Sequence, residues 1–450
     1  MPILRAFRAL RYAHAPGADL SPVLCPPYDI IGPQAHEVLL ARDPHNAVRL
    51  ELPLAEPGAD PATRYKNAAR ALAVWRSDKV LTKDRGATIT LHEMTFAGPG
   101  GAERLALGVF ARVKLEPFGA GIRRHERTLT GPKEDRYQLL KATGANLSPV
   151  VLLHTADGTR TRELLERLTA GDADSVATTS DGVRHRVWVR AASSGADMED
   201  GAGAAVDAAA ADADALLALI GTSALTIADG HHRYETALRY REERGRIRAC
   251  ESDPAWDYVL ALLYHVDDAP PVLPTHRVVL SGPSGEDLLA ALDGLFEVER
   301  VAGPTDVLGR MAVAPAGGDP DATGTGRIGL VSGGVAAILT VRPDAFAPLL
   351  DPAASAASRG LDVNRVAAAL ERLGIDAAAL AAGDRVRYVK NAGEAVALAV
   401  DGGAAATLLL DGSPVSAVTR VAAAGEVMPQ KSTYFDPKAP TGLLFGPLEW

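Results

Sequence analysis

Leu225-Thr226-Ile227-Ala228-Asp229-Gly230-His231-His232-Arg233-Tyr234-Glu235 is the stretch that decides how this chain is read. The apolar run before Asp229 reads as a buried strand, and Asp229-Gly230 is a turn dipeptide that ends it. A helical pattern starts at once and continues through Ala237, Leu238 and Tyr240 towards Arg244. Two histidines and an arginine therefore stand on a first helical turn, beside backbone N–H groups that have no intrahelical acceptor. Those amides and the positive end of the helix dipole favour an anion. Arg233 adds a planar fork suited to phosphate or carboxylate. Asp229 is the odd member, a carboxylate at the edge of a positive pocket, placed to hold a metal or accept a proton. Asp before a helix is a common cap, and Gly at such a turn is common too. The His-His-Arg that follows tips the reading towards a phosphate site.

The chain has 450 residues and is 47% hydrophobic, ample for a large core and for two to three domains. Its net charge of −9 and lack of a basic tract disfavour a nucleic-acid binder. Cys25 and Cys250 form neither a metal spacing nor a disulfide framework. Met1 to Leu10 lacks the continuous apolar core of a signal peptide, and no stretch is long and apolar enough for a membrane span. The expectation is a soluble, cytoplasmic protein without a membrane partner.

Along the chain, helices are expected near Ala35–Ala41, Pro61–Trp75, Glu134–Thr143 and Arg160–Ala170. Strands are expected at Ala87–Thr95, Leu105–Val113, Val150–His154 and Trp256–His265, the first two joined as a hairpin. Residues 191–215 are a low-complexity Ala/Gly/Asp run, first a flexible loop and then helical. Beyond Ser281, Gly285–Leu292 and Val363–Leu373 read as helices. Val298–Val301, Val335–Val341, Arg385–Lys390, Ala395–Val400 and Thr407–Leu410 read as strands. The expected fold class is α/β, mixed α+β. A motif-bearing catalytic region spans 1–280, an α+β accessory domain 281–424, and a C-terminal motif segment 425–450 that could return to the site.

Four further segments are rich in reactive or turn-forming residues. In Cys25-Pro26-Pro27-Tyr28-Asp29-Ile30 two prolines stiffen a loop that presents Tyr28 and Asp29 as substrate contacts. Cys25 has no histidine beside it in sequence and is a weak candidate nucleophile. In Arg123-Arg124-His125-Glu126-Arg127-Thr128, between glycines, Glu126 is a candidate general base and His125 a substrate contact. Arg127, Lys133 and Arg136 are candidate phosphate holders. A surface ion-pair cluster is the plain alternative. Pro274-Thr275-His276-Arg277 is a turn into a strand, with His276 and Arg277 as possible ligands. Met428-Pro429-Gln430-Lys431-Ser432-Thr433-Tyr434-Phe435-Asp436-Pro437-Lys438 is unusually rich for a tail. There Lys431 could reach a phosphate and Tyr434 a substrate, but the glycine-rich loop of a Walker ATPase is absent. His231 and His232 diverge by about a third of a helical turn, which disfavours zinc. A Mg²⁺ shared by Asp229 and a nucleotide is the easier metal.

Together, Cys25–Ile30, His125–Thr128, Ala228–Tyr234, Pro274–Arg277 and Met428–Phe435 resemble the DUF1015 family, in its order and across nearly the whole chain. Asp229-Gly230-His231-His232-Arg233 is also similar to the Asp-Gly-His-His-Arg signature of free-serine kinases in the ParB/sulfiredoxin superfamily. That resemblance implies a ParB/sulfiredoxin-like strand–turn–helix on which Gly230, His231, His232 and Arg233 contact nucleotide phosphates, with Asp229 at the transfer centre. It implies ATP or ADP with Mg²⁺ as cofactors and a small hydroxylated metabolite, possibly free L-serine, as substrate. An acid elsewhere takes the hydroxyl proton, with Glu126 the first choice and Asp29 the reserve; His231 and Lys431 complete the catalytic set. Sulfiredoxin chemistry needs a cysteine in this turn, and there is none. The alternative function is a ParB-like nucleotide-binding regulatory module without kinase activity.

Overall fold

The computed structural model describes residues 1–98, 101–126, 130–193, 208–247, 253–313, 323–376, 379–380, 383–429 and 432–450. Arg127, Lys431, Cys250 and most of the low-complexity run lie outside them. The chain is a mixed α/β protein of two compact units. The first comprises Met1–Phe96, Glu103–Pro270 and Pro437–Trp450; the second comprises Ala97–Ala102 and Pro271–Asp436.

The first unit is built on a mixed sheet. Its order is Ala18–Asp19, Ser175–Thr178, Arg184–Ala191, Thr88–Ala97, Glu103–Lys114, Tyr258–His265, Val150–His154, Leu225–Asp229, Ile122–Arg123. Tyr258–His265 is buried at every position, as its unbroken apolar run requires of a central strand. It lies antiparallel to Glu103–Lys114 and parallel to Val150–His154. Gly108 is needed where it stands, because a Cβ there would come 2.7 Å from the Tyr264 ring. Leu152, Ile227, Ala261 and Leu263 join Leu164, Leu216 and Tyr234 in the core between sheet and helices.

Leu225–Asp229 pairs antiparallel with Val150–His154, and the register slips between Ile227 and Asp229. Such a bulge re-aims the end of a strand. Here it turns Asp229 into the Gly230 turn, from which the His231–Ile247 helix departs. That helix packs on the Thr130–Thr143 helix, which packs on Thr63–Ser77.

The last fourteen residues are threaded into this unit as backbone. Thr441 and Cys25 exchange N–H···O bonds of 2.8 and 3.1 Å, Leu10 and Phe445 bonds of 2.9 and 3.0 Å. Gly446–Pro447 pairs with Ala145–Asn146. The other partner of this zipper, the Cys25–Pro27 loop, is anchored by Asn46, which is fully buried. Its Nδ2 donates to the Pro22 and Leu24 carbonyls at 2.8 and 2.9 Å, and its Oδ1 accepts from Val48 N–H at 3.0 Å.

The second unit carries a six-stranded antiparallel sheet, ordered Phe296–Arg300, Val335–Val341, Arg327–Ser332, Ala406–Leu410, His276–Val279, Val386–Val389. One expectation fails here. Ala395–Val400 is not a strand but part of the helix Ala392–Val400. Its Ala/Val/Leu alternation imitates a strand, but Asn391 caps the helix by accepting from Glu394 N–H at 2.9 Å. Ala392, Ala395, Val396 and Ala399 then fall on one face, packed against the sheet core.

Asn46→Ala strands two buried carbonyls and one N–H. It should cost the first unit roughly 3 kcal/mol in urea unfolding. All four tryptophans, Trp75, Trp188, Trp256 and Trp450, lie in that unit and report on it. A loss below about 1 kcal/mol would show that the loop is held by something else.

Candidate functional site

Three segments converge at the start of the His231–Ile247 helix. The strand end contributes Asp229, the short 3₁₀ turn Tyr28–Ile30 contributes Asp29, and the threaded tail contributes Lys438. The Lys438 ammonium lies between the two carboxylates, 2.5 Å from Asp29 Oδ2 and 3.1 Å from Asp229 Oδ1. Its side chain is 9% exposed, against 40% for Asp29 and 27% for Asp229. The other Asp229 oxygen accepts from Arg233 Nη2, and Arg233 Nη1 donates to the Pro149 carbonyl. Gly230 makes this possible. Its φ is +90°, and a Cβ there would sit 3.0 Å from Arg233 Nε.

The charges follow from these contacts. Burial pushes the Asp229 carboxyl up, but Arg233 and Lys438 outweigh it and hold the group at about 2. Burial likewise favours neutral Lys438, yet Asp229 and Asp29 overcome that and raise its pKa. Both ions are therefore charged at neutral pH.

His125 and His231 are neutral at neutral pH. His125 is fully buried, and its Nδ1–H donates to the Ile227 carbonyl at 2.6 Å. Its ring stands edge-on to His231, with centroids 4.7 Å apart. Burial takes His125 down to about 4. Burial, reinforced by His125, takes His231 well below its ordinary value. His231 is 8% exposed, and its buried Nε2 has no hydrogen-bond partner among the described residues. The first intrahelical bond runs from Tyr234 N–H to Gly230 C=O, so the earlier amides of this turn point out of the helix end. An imidazole nitrogen without a partner among the described residues thus lies at the N-terminus of a 17-residue helix.

Other expected site residues are engaged with protein groups. Arg136 is buried, donates to Asp135 Oδ2 at 2.9 Å and to the Glu51 carbonyl at 2.8 Å, and stacks 4.1 Å from the Tyr28 ring centroid. It braces Tyr28 from inside the wall. Burial raises the Tyr28 pKa, opposed by Arg233 and Arg136. Lys133 pairs with Glu235 on the neighbouring helix. His232 is half-buried on the first turn, and Glu126 is half-buried in the loop after Arg123. Arg127 and Lys431 lie outside the described residues.

His276, Arg277 and Tyr434 belong to the second unit. There His276 Nδ1 accepts from Leu410 N–H at 3.2 Å, Arg277 stacks on Tyr388, and Lys390 lies 3.3 Å from the Tyr434 ring centroid. Cys25 is buried with its thiol pKa raised, first by burial and then by Glu51, which makes it inert.

Two participants escaped the sequence reading. Lys438 stood at the end of a quoted motif, but only the Cys25–Thr441 pairing selects it. Glu51 is buried, accepts from Ser148 Oγ at 3.1 Å, and lines a cavity of about 40 Å³ with Arg136, Ser148, Arg233 and Thr236. A lone Glu in an apolar run carries no signal of this.

The donor set does not fit a resident metal. Among the described residues no three His, Cys, Asp or Glu side chains converge. The position between Asp29 and Asp229 is already taken by an ammonium.

Residues 4–364 match the family described as protein of unknown function, DUF1015. The chain belongs to the DUF1015 family. No curated protein matches it. Among solved structures, it is similar to a free serine kinase in complex with AMP at 11% identity and a TM-score of 0.30, covering 71% of this chain and 91% of that one. A conserved hypothetical protein from Pyrococcus furiosus matches at 11% identity and a TM-score of 0.29, covering 71% and 92%. A free serine kinase variant in complex with ADP matches at 10% identity and a TM-score of 0.30, with the same coverage. Among the described residues of this DUF1015 protein, no helix is long and apolar enough to cross a membrane.

Lys438→Met should leave Asp229 facing Asp29 with only Arg233 to offset its charge. Its carboxyl then rises from about 2 towards or beyond the ordinary 3.8. In the unmodified protein Asp229 stabilises the fold above pH 3.8, and that contribution is lost as the pH falls to about 2. Carboxyl-carbon NMR titration of both proteins checks this, and an unchanged Asp229 titration contradicts the bridge.

Proposed function

We propose that the helix start is a nucleotide site and that the protein is a nucleotide-dependent phosphotransferase acting on a small hydroxylated metabolite. The observation that carries this reading is the orphaned His231 Nε2 beside the outward-pointing amides of the first helical turn. A phosphate oxygen satisfies both at once. Neutral His231 donates a hydrogen bond, while the helix dipole and the Arg233 and Lys438 cations offset the phosphate charge.

The acceptor hydroxyl would meet Asp29. That carboxylate is two-fifths exposed and sits at the same helix start, which makes it the first choice of base ahead of Glu126. The hydroxyl oxygen forms a bond to the terminal phosphorus of ATP or ADP. The bond from that phosphorus to the bridging oxygen breaks, and the nucleotide leaves one phosphate shorter. The hydroxyl proton passes to Asp29. Lys438 keeps its own protons and steadies both carboxylates, so positioning and electrostatics supply most of the acceleration. Mg²⁺, if used, would arrive on the nucleotide phosphates and not in a protein cage. The Asp-Gly-His-His-Arg resemblance makes free L-serine the first acceptor to test.

The test is phosphate transfer from ATP or ADP to a panel of hydroxylated amino acids and small acids, followed by mass spectrometry. The unmodified protein should give a phosphorylated product. Asp29→Asn should bind nucleotide within about threefold of the parent and lose at least about a hundredfold in turnover. Glu126→Gln should retain turnover. Nucleotide binding without any product would favour a regulatory module, and no nucleotide binding would end the proposal.

A further inference from the structure

The first unit holds a second, larger cavity of about 420 Å³, well within the range of small-molecule sites. It opens where the C-terminal end of the His231–Ile247 helix meets the last residues of the chain. Arg244 lies thirteen residues along that helix from His231, roughly 20 Å at 1.5 Å per residue. This cavity shares no lining residue with the nucleotide site.

Its chemistry is specific. Tyr240, Trp256 and Leu448, which belong to an apolar cluster with Tyr137 and Leu140, line the cavity together with Leu72 and Trp450. The Arg244 guanidinium lies 5.3 Å from the Trp256 ring centroid and 5.6 Å from that of Tyr240. Among the described residues no carboxylate, carbonyl or hydroxyl accepts from it, and its Nε is buried without a partner. Arg76, across the cavity, is already paired with Glu449 at 2.7 Å. A guanidinium held against aromatic rings and, among the described residues, bonded to no carboxylate (Glu449, which also lines the cavity, is taken by Arg76) is half of a recognition site. The missing half is an anion carried on a planar apolar body.

We propose that this cavity binds an aromatic monoanion, its carboxylate on Arg244 and its ring over Trp256 and Leu72. The guanidinium fork would take the anionic oxygens in two parallel bonds, and its stacking on Trp256 and Tyr240 would keep the fork in that orientation. The anion gives the buried Arg244 Nε an acceptor, and the ring displaces water from the apolar lining.

The test is calorimetric titration of the full chain with 2-naphthoate, with 2-naphthamide as its uncharged analogue. We expect one saturable site for the naphthoate and binding weaker by about tenfold or more for the amide. Arg244→Gln, close to isosteric in reach, should bring the naphthoate down to the level of the amide. Arg244→Ala gives the same readout if it keeps the far-ultraviolet circular dichroism of the parent. Saturating ADP should leave naphthoate binding unchanged. The proposal is overturned if naphthoate does not saturate, if Arg244→Gln binds it as tightly as the parent, or if ADP competes with it.

Discussion

One ammonium between two carboxylates holds the site together. Lys438 reaches Asp29 and Asp229 from 409 and 209 residues away in sequence. Remove its charge, and two acids are left facing each other with Arg233 alone to offset them, so the Asp229 pKa climbs from about 2. Remove the acids, and the lysine is a buried cation without partners. Each of the three therefore depends on the others being in place, and none has meaning in the unfolded chain. Coulomb attraction alone does not achieve this, because desolvation takes back much of what a buried pair contributes. The backbone does the positioning. Exchanged bonds between Cys25 and Thr441 and between Leu10 and Phe445 align the tail before any charge is counted.

The same constraint explains why the helix start is left with an unmet donor or acceptor. Arg233 is bound to Asp229 and to the Pro149 carbonyl. Asp229 is saturated by two cations. His125 spends its Nδ1–H on Ile227. Among the described residues these neighbours are committed, and His231 Nε2 is left without a partner. Because burial keeps both rings neutral, the positive character of the pocket comes from the helix end, Arg233 and Lys438 and not from an imidazolium. Such a site offers oriented hydrogen bonds at fixed geometry over a wide pH range.

Much of the first unit was legible in the sequence because its signals are local. The β-branched run, the Asp-Gly turn and the helical period around residue 230 each specify one conformation, and all agree. The hairpin strands and the central Tyr258–His265 strand were equally plain. Ala392–Val400 was misread because alternating small apolar residues suit either period, and the deciding cue, Asn391 with Glu394, is a cap and not a pattern. The tail's contribution to the site was legible in kind but not in residue. The lysine expected from the 425–450 segment was Lys431, which lies outside the described residues, and nothing in the composition of that segment marks Lys438. The choice is made by pairing between Thr441 and Cys25, 416 residues apart, and long-range register of that sort leaves no local trace. Glu51 and Arg244 were invisible for the same reason: each matters through what fails to pair with it or through the cavity it faces.

The most direct measurement is a crystal structure of the protein grown with ADP. The account predicts density for the diphosphate at the His231–Arg233 turn, with a phosphate oxygen within hydrogen-bond reach of His231 Nε2 and of the first-turn amides, and Lys438 still between Asp29 and Asp229. Nucleotide bound elsewhere, or an empty helix start in crystals whose protein binds ADP in solution, would contradict it.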